Sequence, residues 1–282
     1  MRLSVGSAVP IIARLTIRET QRKRLLWIGA LMGLGFLTIF GLGFHFVYAD
    51  LQRNLVSSEF DVPLLFLTLA GLYATNFLVI VVSVLISVTT ISGEIESHTI
   101  ETLLTKPFGR WELIIGKWLG YAAIILLYVL LMPGGVLLIV YLESGFTLNN
   151  VGLALLLIYL GGLVGLSISI AGGTRLSTLA NGAVALMLFG MAFIGGWVEQ
   201  IGAIMRNETA VDIGIVTSLI MPTEILWRKA TALLEPQLVT GFEFTGPFSI
   251  GSQPSDLMIV YAVIYVIALI ALSIWLFSSR DL

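Results

Sequence analysis

The sequence predicts an all-α integral membrane protein: six transmembrane helices, an N-terminal interface helix, a cytoplasmic helix between spans two and three, and short external helices between spans five and six. Three observations predict it. Only 11% of the 282 residues are charged and 57% are hydrophobic, whereas a soluble domain carries roughly 25% charged residues. Mean hydropathy is +1.00, so lipid is the solvent for much of the chain. Six runs free of Asp, Glu, Lys and Arg are long enough for a ~30 Å hydrocarbon core, which takes ~20 residues at helical rise. Lysine and arginine also sort onto alternate loops.

Residues 1–24 read as a surface helix. Ile11, Ile12 and Leu15 cluster, while Arg14, Arg18 and Arg22 recur every fourth position on another side, which suits the interface of an anionic membrane. The charge-free runs follow as Leu25–Ala49, Val62–Gly93, Trp118–Leu142, Ser144–Thr174, Leu176–Val198 and Leu257–Ser279. One charge at mid-span costs ~2.5–3.5 kcal/mol on insertion scales, so their absence is systematic. The first run is too long for the apolar core of a signal peptide and reads as a retained span. The second and fourth runs exceed 30 residues, so they tilt, project from the bilayer or include short caps. Gly29 with Gly33 and Gly161 with Gly165 stand four apart, a spacing that lets helices approach closely in lipid.

Taking alternate sides, one set of loops holds eleven Lys and Arg, including six before Leu25; the other holds four: Arg53, Arg206, Arg228 and Lys229. The positive-inside rule then places both termini in the cytoplasm of a multi-pass cell-membrane protein. Net charge of −2 gives no case for nucleic acid, and the absence of cysteine excludes disulfides and thiolate metal sites. His45 and His98 are too far apart in sequence to suggest a metal site, and His45 reads as an interfacial residue.

The segment between spans two and three carries the most information. Ser92 can cap a helix, Glu94 and Glu96 suit its positive N-terminal end, Lys106 suits the other end, and Pro107 stops it. Glu94, His98, Glu101 and Thr105 fall on one stripe and Ile100, Leu103 and Leu104 on another. Such a two-faced helix, joined to two spans, suits docking of a soluble partner. His98 and Glu101 lack the second histidine of a zinc-protease motif. Uncharged spans argue against a proton relay through the membrane.

The run Gly93-Glu94-x-Glu96 … Thr99-x-Glu101-x-Leu103-Leu104-Thr105-x-Pro107-x-x-Arg110 … Gly116-Lys117 resembles the signature of type-2 ABC transporter permeases. The resemblance implies a single permease domain over residues 1–282 with a coupling helix at 93–107. It implies a partner ATPase docked at Glu94, Glu96, His98, Thr99, Glu101 and Thr102, with Gly116-Lys117 opening the third span. ATP and magnesium would sit in that partner, with no cofactor or catalytic residue in this chain, and a second permease copy would complete the path. Where the family has glycine before the threonine, this chain has His98. Lys106–Arg110 and Met221-Pro222-Thr223-Glu224-Ile225 with Arg228 are similar to permeases of nitrous-oxide-reductase maturation. Gly109 and Gly116-Lys117 only imitate a phosphate-binding loop, since the gap is too long and Trp118 replaces the hydroxyl.

The external segment, 199–256, holds seven acids and three bases. Ile213–Pro222 and Ile225–Leu234 read as short helices at the outer mouth, acting as lid, gate or docking surface for an extracytoplasmic partner. Gly241–Pro254 reads as irregular chain. A membrane scaffold and a polytopic lipid-modifying enzyme are the rival functions.

Overall fold

The computed structural model describes residues 8–54, 61–96, 109–234 and 254–279, and among these every regular element is helical. Helix α1 spans Ala8–Arg22, α2 Arg24–Asn54, α3 Asp61–Ser87, α4 Ser92–Glu96 and α5 Arg110–Ser144. They are followed by α6 Val151–Gly173, α7 Thr178–Ile204, α8 Glu208–Ile220, α9 Thr223–Leu234 and α10 Asp256–Ser278. Six of these are long and apolar enough to cross a membrane: α2, α3, α5, α6, α7 and α10.

Several span ends differ from the charge-free runs, and each difference has a physical cause. Helix α5 starts at Arg110 rather than Trp118 because the fold pairs the charges in between. Glu112 accepts the Gly109 N–H at 2.7 Å, and Lys117 is buried against Glu94. Helix α7 runs on past Val198 because Glu199 is met by Arg228. The second run breaks at residues 88–91 before α4, and the fourth begins with an irregular stretch at 145–150. Gly145 turns out of α5 at φ 67°, a left-handed conformation that glycine adopts without strain.

The middle of the bundle is α3, α5 and α6. Helix α6 packs on both others and on α9 and α10, while α2 and α10 leave most of their surface on the outside. Of the expected close-packing glycines, Gly29 and Gly33 both face neighbours, at Val82 and at Met132 with Tyr128. On α6 the contact falls on Gly162, against Ile125 and Val79, and on Gly165, against Ser83; Gly161 faces open space.

Helix α1 docks through a face the apolar pattern does not mark. Ile12, Thr16 and Thr20 are buried, while Ile11 and Leu15 are more than half exposed. Each threonine hydroxyl donates to the carbonyl four residues back, Thr16 to Ile12 at 2.9 Å and Thr20 to Thr16 at 2.7 Å. With its hydroxyl satisfied, Thr16 serves as a small packing residue against Gly120 of α5, and Ile12 packs against Gly116. Ile11 and Leu15 stay exposed beside the exposed Arg14, Arg18 and Arg22.

Two ends of the bundle can be told apart by their bonds. At one end, Lys23 Nζ reaches Thr89 and Tyr121, both at 3.2 Å. There too Arg110 donates to the Phe277 and Ser278 carbonyls and Arg175 to the Ser279 hydroxyl, holding the C-terminal end of α10. At the other end, His45, read as an interfacial residue, lies 2.9 Å from Glu143.

Helices α8 and α9 form a hairpin bent by 105° at Met221-Pro222. Gly202 lies against Ala210, and Gly195 against Thr217, so α8 runs back antiparallel along α7. Gly196 meets Glu224, Glu199 meets Arg228 and the Leu233 carbonyl accepts from Asn150, so α9 slants back toward the end where α7 finishes. The hairpin therefore enters and leaves at the same end of the bundle, dipping in by about 14 Å at helical rise. Of the expected irregular stretch Gly241–Pro254, all but Pro254 lies outside the described residues.

A side chain at position 120 has no room, because a Cβ there would stand 2.8 Å from the Ala13 carbonyl oxygen. Gly120→Leu is expected to loosen α1 at a cost of about 1–3 kcal/mol. Faster tryptic cleavage at Arg14 and Arg18 in membranes, with the rest of the chain still protected, is the expected readout.

Candidate functional site

Glu94, Glu96 and Gly93 sit in α4 and Arg110, Gly116 and Lys117 in α5. His98, Thr99, Glu101, Thr102, Leu103, Leu104, Thr105 and Pro107 lie outside the described residues. What the structure places at this end is the frame that holds the segment.

That frame is built from polar bonds among apolar helices. Lys117, on the second turn of α5, is 5% exposed. Its ammonium pairs with the Glu94 carboxylate and donates to the Thr90 carbonyl at 3.1 Å. Glu96 accepts both the backbone N–H and the hydroxyl of Thr178, each at 2.9 Å, and so caps the start of α7. Ser92, expected as a cap, instead donates back to the Val88 carbonyl at 2.8 Å and meets the Thr178 hydroxyl at 2.9 Å. Buried Asn181 closes the joint by donating to the Ser169 carbonyl at 2.8 Å.

Of the acidic residues of α4, Glu94 thus turns inward to α5, while Glu96 stays exposed and bonds the start of α7. Gly116 and Lys117 lie within α5 rather than at its opening, and they have separate tasks. Gly116 receives α1 through Ile12, and Lys117 receives α4. The interface helix, third span, α4 and fifth span form one connected unit. Trp118 extends it to α6 through the Ser167 hydroxyl at 2.9 Å.

The opposite end holds a second charged group that sequence reasoning did not assemble. Arg228 of α9 bonds Glu199 of α7 through both terminal nitrogens, one at 2.9 Å. Glu224, one turn before Arg228, rests against Gly196. Glu199, Glu224 and Arg228 are 5%, 4% and 6% exposed, so the three are buried together. Burial pushes the Glu224 carboxyl up to about 7; Arg228 pulls it down and Glu199 adds to the rise. Two signals pointed here: Glu199 interrupts an otherwise apolar helical run, and Glu224 and Arg228 stand four apart. Sequence placed all three in one segment, 199–256, but did not show that α9 folds back to bring Arg228 and Glu224 against Glu199.

Beside this cluster lies an aromatic wall. The Tyr73 ring is 5.3 Å from Trp227 and 5.9 Å from Phe193, and its hydroxyl accepts the Trp197 indole N–H at 2.9 Å. Phe36, Tyr73, Phe77 and Phe193 line a recess of about 310 Å³ between α2, α3 and α7.

Removing one partner of a buried pair leaves an unmet charge and costs about 3–5 kcal/mol, whereas removing both relieves it. Lys117→Met alone is therefore expected to lower the thermal midpoint in detergent more than Lys117→Met with Glu94→Gln. A double variant no more stable than the single would contradict the pairing.

No curated protein matches the chain. A family model described as ABC-2 family transporter protein matches residues 11–282, which includes all six spans, α4 and the hairpin. The chain is thus a multi-pass membrane protein that belongs to the ABC-2 transporter family, as a permease component of an ABC transporter.

Proposed function

We propose that this chain is the permease subunit of an ATP-driven exporter, and that a separate ATPase subunit docks at the end where α1, α4 and the start of α5 meet. The observation that carries the reading is the double anchoring of α4, by Glu94 to Lys117 and by Glu96 to Thr178. A load applied to the segment after Glu96 is delivered to α3, α5 and α7 together. Such a joint suits a lever moved by ATP binding elsewhere. ATP and magnesium belong to the ATPase subunit. A second copy of this chain or a related permease would complete the path.

The orientation follows from charge. The docking end carries the basic loops and the last turns of α10, so it faces the cytoplasm, as do both termini. The hairpin then faces outward in the cell membrane, where it serves as a gate or as the seat of an extracytoplasmic partner. Likeness to permeases of nitrous-oxide-reductase maturation rests on Lys106–Arg110 and on Met221–Ile225 with Arg228. Met221-Pro222 forms the hairpin turn, while Glu224 and Arg228 belong to the buried cluster. The aromatic recess suits an apolar cargo.

Docking falls to Glu94, Glu96, His98, Thr99, Glu101 and Thr102, with Glu94 tied from within the chain to Lys117 and the exposed Glu96 to Thr178. Glu101→Lys is expected to abolish co-purification of the ATPase from native membranes without lowering the amount of chain inserted. Undiminished co-purification would contradict docking at this segment.

A further inference from the structure

We propose that the Glu199–Arg228–Glu224 cluster is a proton-binding site in which Glu224 takes up one proton, and that this proton sets how firmly the re-entrant hairpin is held on α7. The proposal is independent of the ATPase reading.

It begins with charge. Two carboxylates and one guanidinium sum to −1 when all are ionised, and all three are buried. Both terminal nitrogens of Arg228 are committed to Glu199. The remaining Arg228 nitrogen, Nε, is buried without a hydrogen-bond partner, so the guanidinium is not shared evenly with Glu224. The surplus negative charge falls on Glu224. The first-turn dipole of α9 favours the ionised form, as does Arg228, but burial outweighs them and raises the carboxyl to about 7.

Among the described residues no group of three or more His, Asp or Glu side chains gathers to hold a metal ion. Glu224 lies so close to Gly196 that a Cβ there would overlap its side chain. A proton needs no room, no coordination shell and no additional ligand; it forms an O–H bond on the Glu224 carboxylate and leaves the cluster neutral.

The surrounding groups leave this proton to Glu224. From α7 comes Glu199, from α3 Tyr73, and from α9 itself Arg228. Lys229 points to Asp256 at 2.7 Å and to the Pro254 carbonyl. From α10, the Tyr261 and Tyr265 hydroxyls donate to the Leu219 and Ile220 carbonyls, both at 2.6 Å, clasping the end of α8. On α6, the Tyr159 hydroxyl is turned to Ala122 of α5. Glu208 and Asp212 lie at the far end of α8, away from the turn. Glu224 follows that turn by two residues, so its charge acts where the hairpin bends.

The folded state favours protonated Glu224. Its contribution is complete below the ordinary value of 4.5 and is lost as pH rises through about 7. The hairpin is therefore held more firmly in acid than in alkali.

Trp197 and Trp227 flank the site and report on it. The full chain in nanodiscs, titrated between about pH 5.5 and about pH 8.5, should show a reversible change in tryptophan emission centred near 7. Difference infrared spectra over the same range should show a carboxylic-acid carbonyl band disappearing as pH rises. Glu224→Gln, which keeps the shape of the protonated acid, should abolish both signals, whereas Tyr73→Phe should retain the infrared band. Glu199→Gln frees Arg228 for Glu224 and should move the midpoint down by more than about one pH unit. A wild-type protein without either transition, or a Glu224→Gln variant that still shows the infrared band, would overturn the proposal.

Discussion

A charge carried into an apolar bundle has to be met there, and the rest of this structure is arranged around two places where that happens. Lys117 with Glu94 lies at one end and Arg228 with Glu199 at the other. Breaking either pair costs several kcal/mol because the orphaned ion cannot reach water. Each pair also joins elements that apolar packing alone would leave free to slide. The first ties α4 to α5, and the second ties the hairpin to α7. Close-packing glycines follow from the same requirement. Gly116 and Gly120 bring α1 onto the helix that carries Lys117, while Gly195, Gly196 and Gly214 bring the hairpin against the helix that carries Glu199.

The two ends share helices, which gives the permease reading its mechanical content. Helix α7 begins at the Glu96–Thr178 joint and ends beside the Glu199–Arg228 pair. Helix α3 supports the hairpin through Tyr73, against Trp227, and leads at its other end to Thr89 and Thr90, which accept from Lys23 and Lys117. A displacement of α4 therefore reaches the hairpin through continuous helices rather than through loops. This is a contiguity of rigid elements; energetic coupling between the ends is a separate property that variants at each end can measure.

Much of this was legible in the sequence, because lipid imposes a simple rule on composition. Six charge-free runs became six spans, and among the described residues most of the basic side chains lie at one end. The rule failed where side chains satisfy one another. Glu199 and Lys117 looked like boundaries because a lone charge stops a span, but each has a partner distant in sequence that no local pattern announces. Helix α1 misled in a related way: Thr16 and Thr20 are polar by type, yet their hydroxyls bond their own backbone and the residues pack like small apolar ones. Glu94 and Glu96 carried the resemblance to the permease signature, but their bonds to Lys117 and Thr178 depend on how α5 and α7 are placed. The hairpin depended on the same kind of information, since nothing local says that Gly195 faces Thr217.

The most direct test of the account is contact between this chain and an ATPase at the segment after α4. A photo-crosslinking residue placed at position 101 in the full chain, activated in native membranes, captures whatever lies against that segment. The account predicts capture of a soluble protein bearing a phosphate-binding loop, with the crosslinker shielded from reagents added outside the cell. Capture of no nucleotide-binding protein, together with labelling of position 101 from the external face, would contradict both the docking and the orientation.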